Sequence, residues 1–593
     1  MKLPRGRMAL REHGDVNRRE FFCRETDMAE FQQSDSFSWG DALFLYLERP
    51  GQPLSIASVS AFEGAIPLKA LRNFVESKLP LIPRYLQHVV FPPFNLGLPV
   101  WKFDPNFDIR NHIRQVNLRR GTESDLKAVA SKILSTNLDR QKPLWDLTLV
   151  RGLEGNRTGL IVRIHHCLAD GVAGVGVVNV LMDPSPVAPA VPSKPPVFHA
   201  PQARDAGAVL LENMVKSYFS AVSGVLTLGS GALNIAHEAL SNPGGQMAEL
   251  MKVMPELTTP SDRLPFNQVC QGPQKFGWTE IPMAEIKAIR ENCGGTVNDV
   301  LLTVTTMAFR RYAELRGTKL KGRSIRIVIP VNVRGKGDVS ELGNRISFLP
   351  VTLPLDIRDP QKLFAFIRER MEYLKHARAA EFVGIAGGLI STVPTAILAA
   401  IGPLASQLPL SLCNLICTNV PGPQIPLYLL GHKMLSWYPY VPIGGEMGVN
   451  CAILSYNGTA YFGFTCDVNA VPDPEHLEKF VVSSFAELLK SSRNVVKRAA
   501  EPAGEEEPTS PKRKRQNSTI PLAKKKKVTK SIGKSPVSSH FAKGRPTKKP
   551  AKSISPAISQ SAGQASSDSR PPESVPATRD VQEATRVLAA AGD

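Results

Sequence analysis

The sequence predicts a mixed α/β protein in which two successive folded regions are followed by a long basic tail. Three observations carry that expectation. Strand-like and helix-like segments alternate through residues 34–493, a proline-rich stretch after residue 183 interrupts them, and residues 508–560 hold 15 Lys or Arg without a single Asp or Glu. At 593 residues the chain exceeds what one hydrophobic core supports, so more than one domain is expected. Hydrophobic residues make up 42% and charged residues 21%, which are globular values, so the bulk of the chain should fold.

Residues 1–33 are polar and aperiodic and read as a flexible leader. Their charged amino end lacks the apolar core of a signal peptide, so export is not expected. The first folded region, 34–183, opens on an apolar cluster at 44–47, followed by a strand at 54–62 and a turn at Gly64. After Pro67, a helix places Leu68, Leu71, Phe74, Val75 and Leu79 on one face. Residues 144–153 and 158–164 read as the strands of a hairpin, with a polar turn between them. A helix from Asp170 to about residue 182 then follows, Asp170 standing at its cap.

Residues 184–260 read as an extended proline-rich linker and then mostly apolar helices. The second region, 261–493, alternates again: a helix at 296–315, a strand at 324–329, a closing helix at 474–489. The tail, 494–593, carries four-residue basic blocks at 512–515 and 524–527 and is too polar to collapse, so it reads as disordered. Its charge suits two anionic partners, lipid headgroups and nucleic acid. Lipid is favoured, because about 1 kcal/mol per basic residue at an anionic surface suffices for anchoring beside apolar segments.

Two uncharged stretches, 217–236 and 382–405, raise the question of membrane spans. Glycines and prolines interrupt the second, which favours a pair of short helices, either buried or seated on a membrane or lipid-droplet surface of a cytoplasmic protein. The eight cysteines form no CxxC pair, and Cys413 and Cys417 lack a nearby histidine, so they read as reduced, buried thiols. No metal site is expected.

Chemistry concentrates where the second hairpin strand gives way to a helix. His165, His166, Cys167, Leu168, Ala169, Asp170 and Gly171 form an HHxxxDG motif, and a chance match to its four fixed positions is on the order of one in a thousand. A strand end presents a side chain rigidly, and neutral histidine suits proton transfer near pH 7. Asp170 fits a structural role, capping the helix and pairing with an arginine that braces the loop, while Gly171 lets the backbone come close. Adjacent strand residues face opposite ways, which disfavours one metal held by both histidines. Cys167, inside the motif, could be offered as a nucleophile. Elsewhere there is no GxSxG elbow, Walker loop or dinucleotide fingerprint, so hydrolase, ATPase and dehydrogenase readings lack their minimum parts.

With the histidine motif stand Asp41-Ala42-Leu43-Phe44-Leu45, Pro143-Leu144-Trp145, Asn298-Asp299-Val300, Gly343-Asn344-Arg345 and Asn419-Val420-Pro421-Gly422-Pro423. In this order, from about residue 38 to 489, the sequence resembles the bacterial wax ester synthase and diacylglycerol acyltransferase family, within the condensation-domain and chloramphenicol-acetyltransferase-like superfamily. The resemblance implies two similar α/β subdomains around a shared tunnel, His166 as general base and His165 as its supporting partner. It also implies that Asn298 and Asp299 face the histidine from the other half, Asn298 donating to the developing oxyanion. Asn419 would lie near the crevice, and Pro143, Leu144 and Trp145 would contact the acyl chain or simply start a strand. By residue chemistry alone, Asn298 and Asp299 are equally a helix N-terminal signal.

The activity implied is esterification of a long-chain alcohol or diacylglycerol by acyl-CoA, a co-substrate rather than a cofactor. A thiolate, with a thiol pKa near 8.5, leaves far more readily than an alkoxide, so one base and an oxyanion donor suffice. The alternatives are a condensation-type enzyme using carrier-bound acyl groups, and a non-catalytic membrane or nucleic-acid binding protein.

Overall fold

Alternation of period-2 and period-3.6 segments is realised, among the described residues, as two large mixed sheets, a small two-stranded ribbon and covering helices. The computed structural model describes residues 37–168, 180–187, 211–212, 214–215, 259–332, 346–376, 393, 395–405 and 412–500. The first region runs α1 (Trp39–Leu47), β1 (Ser55–Glu63), α2 (Leu68–Lys78), β2 (Gln87–Val90), β3 (Val100–Phe103), α3 (Ile109–His112), β4 (Ile113–Asn117), α4 (Glu123–Leu134), β5 (Trp145–Leu153) and β6 (Arg157–His165). The second begins β7 (Gln274–Pro282), α5 (Met283–Cys293), α6 (Val297–Leu315), β8 (Ser324–Asn332), β9 (Ile346–Pro354), α7 (Pro360–His376) and α8 (Thr395–Ala405). It closes with β10 (Leu415–Pro421), β11 (Tyr428–Leu429), β12 (His432–Tyr440), β13 (Val449–Tyr456), β14 (Thr459–Asp467) and α9 (Pro474–Ala500).

The expected helix after Pro67 is α2, whose Leu71, Phe74 and Val75 are buried. The hairpin is β5 and β6, in antiparallel register from Trp145 opposite Ile164. The helix near residue 296 is α6, which Thr296 and Asp299 start with a reciprocal capping box. Along α6 burial runs almost all round, from Asp299 to Phe309, because helices and sheet enclose it. The closing helix runs past residue 489 to Ala500, so residues 494–500, expected to belong to the disordered tail, instead continue the helix. Cys293 and Cys413 are only partly buried, whereas Cys167, Cys270, Cys417, Cys451 and Cys466 are interior, all without disulfides.

The two large sheets are ordered β11-β12-β1-β6-β5-β4 and β7-β14-β13-β10-β8-β9, six strands each, while β2 and β3 pair with one another as a separate antiparallel ribbon. Strands β11 and β12 come from the second region of the sequence yet complete the first sheet, β12 pairing antiparallel with β1 from Ala57 opposite Tyr440. Here the two sheets nearly touch: a Cβ at Gly463 of β14 would strike the Pro439 carbonyl oxygen of β12. A second tie joins α4 to α9, where Lys127 reaches Glu478 at 2.8 Å and lies over the Trp278 ring. The larger core lies around α6, packing Ile325, Val351, Phe364, Phe462 and Leu488 together.

Several expectations fall outside the described residues: the leader at 1–33, most of the linker at 184–260, the stretch at 217–236, the Gly343-Asn344-Arg345 motif and the tail beyond 500. So do residues 169–179, which include Asp170 and Gly171. Among the described residues, no helix is long and apolar enough to cross a membrane.

Candidate active site

Strand β6 lies between β1 and β5, so its backbone is hydrogen-bonded on both edges, and Leu160 and Ile161 are buried. Near its end Arg163 stands opposite Asp146 of β5. Both are buried, and the guanidinium meets the carboxylate through Nε at 2.8 Å and Nη2 at 2.5 Å. Its Nη1 donates to the carbonyls of Ile133 and Thr136. A bidentate pair of this kind fixes direction as well as charge.

The two histidines follow at the strand's last residue and the first turn residue. His165 N–H donates to the Leu144 carbonyl at 2.9 Å, and His166 N–H to the Leu54 carbonyl at 3.0 Å. Leu168 N–H closes the turn onto the His165 carbonyl at 2.9 Å. The His165 ring is 1% exposed, and its Nδ1 accepts the backbone N–H of Cys167 at 3.2 Å. With Nδ1 accepting, the ring proton stands on Nε2, which lies 3.3 Å from Glu48 Oε1. That N–H is not aimed squarely at the oxygen, so the contact is one of charge and dipole more than a well-formed hydrogen bond.

Glu48, just beyond α1, is buried and takes the Leu54 N–H on Oε1 at 3.0 Å and Arg140 Nη2 on Oε2 at 3.0 Å. Burial pushes its carboxyl up, but His165, the Leu54 amide and Arg140 outweigh burial and hold it down at about 2. It is therefore ionised.

His166 is half-buried and stacks on Phe44 of α1, ring centroids 3.9 Å apart and planes 7° apart. Burial lowers its basicity to about 4; its own backbone hydrogen bond opposes the shift and His165 next door adds to it. At neutral pH the ring is an uncharged base. Cys167 is 3% exposed, and burial pushes its thiol well up, which suits a packed side chain better than a nucleophile.

Other predicted residues separate into two places. Pro143, Leu144 and Trp145 adjoin the histidines, since the Leu144 carbonyl receives His165 N–H. All three are buried; the Trp145 indole donates to the Tyr85 carbonyl at 2.8 Å and its ring stacks on His112. In the second region Asn298 and Asn419 meet, Asn419 Nδ2 donating to Asn298 Oδ1 at 3.5 Å. Asp299 is 2% exposed and takes the Thr296 amide and hydroxyl on Oδ2, while Oδ1 has no hydrogen-bond partner among the described residues. Among the described residues, no three His, Cys, Asp or Glu side chains converge as a metal-holding group.

Sequence reasoning missed Glu48 and Arg140. One signal was available: an acid at a helix C-terminus opposes the helix dipole and needs a compensating partner.

The family model described as the wax ester synthase/diacylglycerol acyltransferase catalytic domain matches residues 37–301, and that of the C-terminal domain of the same family matches 342–489. A Mycobacterium tuberculosis protein described as a probable diacylglycerol O-acyltransferase is 26% identical over 460 residues, covering 76% of this chain and 95% of its own. A second relative from that organism, with the same named activity, is 27% identical over 467 residues, covering 76% and 89%. The solved wax ester synthase/diacylglycerol acyltransferase of Marinobacter aquaeolei superposes with a TM-score of 0.55 at 21% identity, covering 77% of this chain and 100% of that one.

Proposed function

The chain belongs to the wax ester synthase/diacylglycerol acyltransferase family and is an acyltransferase, and from that premise we propose that it transfers the acyl group of an acyl-CoA to the hydroxyl of a diacylglycerol or long-chain alcohol, with His166 as general base. The observation that carries this reading is the state of His166: the imidazole of a part-buried residue, uncharged at neutral pH, fixed at a strand end against Phe44. A neutral ring can take the acceptor's proton as its oxygen attacks the thioester carbonyl. The C–O bond forms, negative charge gathers on the carbonyl oxygen, and the C–S bond then breaks as the imidazolium returns its proton to the departing thiolate. Asn298 is our candidate donor to the oxyanion. Because Asn298 Oδ1 already accepts from Asn419, its own NH2 remains to donate.

Substrates this apolar call for a lipid surface, and one apolar face is exposed. Thr395 ties α8 to the 93–97 turn by hydrogen bonds at 2.7 and 3.0 Å, and there Phe94 is 88% exposed, with Ile397 and Ile401 near one half. We read this face as the part that rests on lipid.

The test is purified full-length protein with palmitoyl-CoA and either hexadecanol or a diacylglycerol, following free thiol and ester together. Ester should form with at least one acceptor and fall in His166→Ala to a trace that only single-turnover transfer at high enzyme concentration detects. Ester formation at wild-type rate in a folded His166→Ala protein sinks the mechanism.

A further inference from the structure

We propose that Glu48 is the positioning residue of the catalytic base, one buried carboxylate that fixes the peptide on both sides of His166. This rests on the reading of His166 as the base.

Two routes run from Glu48 Oε1 to that peptide. Along the first, Oε1 accepts the Leu54 N–H at 3.0 Å, and the carbonyl of the same residue accepts the His166 N–H at 3.0 Å. Along the second, Oε1 lies 3.3 Å from His165 Nε2, and His165 Nδ1 accepts the Cys167 N–H at 3.2 Å. The peptide groups entering and leaving His166 are thus held by neighbours that share one anchor. The second route also selects a tautomer: a carboxylate beside Nε2 keeps the proton there and frees Nδ1 to accept.

A third tie reaches the ring itself. Glu48 N–H donates to the Phe44 carbonyl, closing the last turn of α1, and Phe44 is the residue on which the imidazole stacks. Arg140 secures the arrangement from behind, bonding Glu48 Oε2 at 3.0 Å and the Leu45 carbonyl at 2.7 Å. Burying an acid against the helix dipole is costly, and no substrate contact is needed to explain it: its hydrogen bonds go to parts that set where His166 points.

Glu48→Gln keeps an acceptor of similar shape but removes the charge facing His165 and Arg140. It should lower kcat by about ten- to a hundredfold with KM for acyl-CoA unchanged, since misplacing a reacting group by about 1 Å costs about a hundredfold. Glu48→Asp, which keeps the charge but withdraws it by one methylene, should lower kcat in the same way, and it serves if Glu48→Gln does not fold. Either variant should cost little further when added to His166→Ala, measured by single-turnover transfer at high enzyme concentration, because Glu48 acts through His166. Wild-type kcat in both variants overturns the proposal, as does an equal loss with and without His166. Full activity of His166→Ala alone would instead refute the base assignment, a separate failure.

Discussion

The depressed basicity of His166 makes a quantitative claim about acid pH. If the ring titrates at about 4 in the free enzyme, then at pH 5.5 about 97% of it is neutral, against about 9% for a histidine at the ordinary value of about 6.5. kcat/KM should therefore stay near its plateau at pH 5.5 instead of falling to about a tenth of it. The assay is thiol release from palmitoyl-CoA between pH 4 and 8, read with 4,4′-dithiodipyridine, which reacts usefully in acid. Folding must be monitored alongside. Because the folded value lies below the unfolded one, the unfolded chain takes up the proton first, so stability falls as pH drops from about 6.5 to about 4. For this ring the loss is at most about 3 kcal/mol, and partial exposure reduces it through solvent screening. Glu48 acts in a lower window: its stabilisation is complete above about 4.5 and fades as pH falls through about 2. An acid limb centred near 6.5 in protein that remains folded would refute the claim that surroundings hold His166 neutral.

Three other outcomes follow from particular contacts. Asp146→Asn strands the buried Arg163 and should cost about 3 kcal/mol, the low end for a broken buried pair because Arg163 keeps its carbonyl partners; unchanged urea unfolding contradicts it. Gly463→Ala drives a methyl group into the Pro439 carbonyl and should destabilise by about 1–3 kcal/mol, visible as a lower melting temperature; wild-type melting would show that the sheets can part there. Removing residues 501–593 should leave transfer to a soluble acceptor intact while weakening binding to anionic vesicles in low salt. If DNA binding alone is lost, the tail's partner is not lipid.

The parts legible in the sequence are those whose periodicity is local. The β5–β6 hairpin shows as two apolar runs around a polar turn, and α2 shows in the spacing of Leu71, Phe74 and Val75. The histidine pair stands out because its spacing is chemical. Thr296 and Asp299 likewise read as a helix start and are one. What could not be read is what chain folding brings together from afar. Nothing in residues 432–440 indicates that they pair with β1, and Glu48 reads as an ordinary charged helix end until Arg140 and His165 are placed around it. The meeting of Asn298 with Asn419 is of the same kind.

The membership of β12 in the first sheet has a consequence during synthesis. Residue 57 finds its partner only at residue 440, so β1, the neighbour of the histidine-bearing strand, leaves the ribosome with one edge unpaired. At about 5–20 residues per second the partner is translated about 20–80 seconds later. Throughout that interval the nascent chain carries an open strand edge able to pair with other chains, so cellular yield should depend on holdase chaperones and improve at lower temperature. For the same reason, cutting the gene at the proline-rich linker should not give two soluble halves, because the first would lack the strand that closes its sheet.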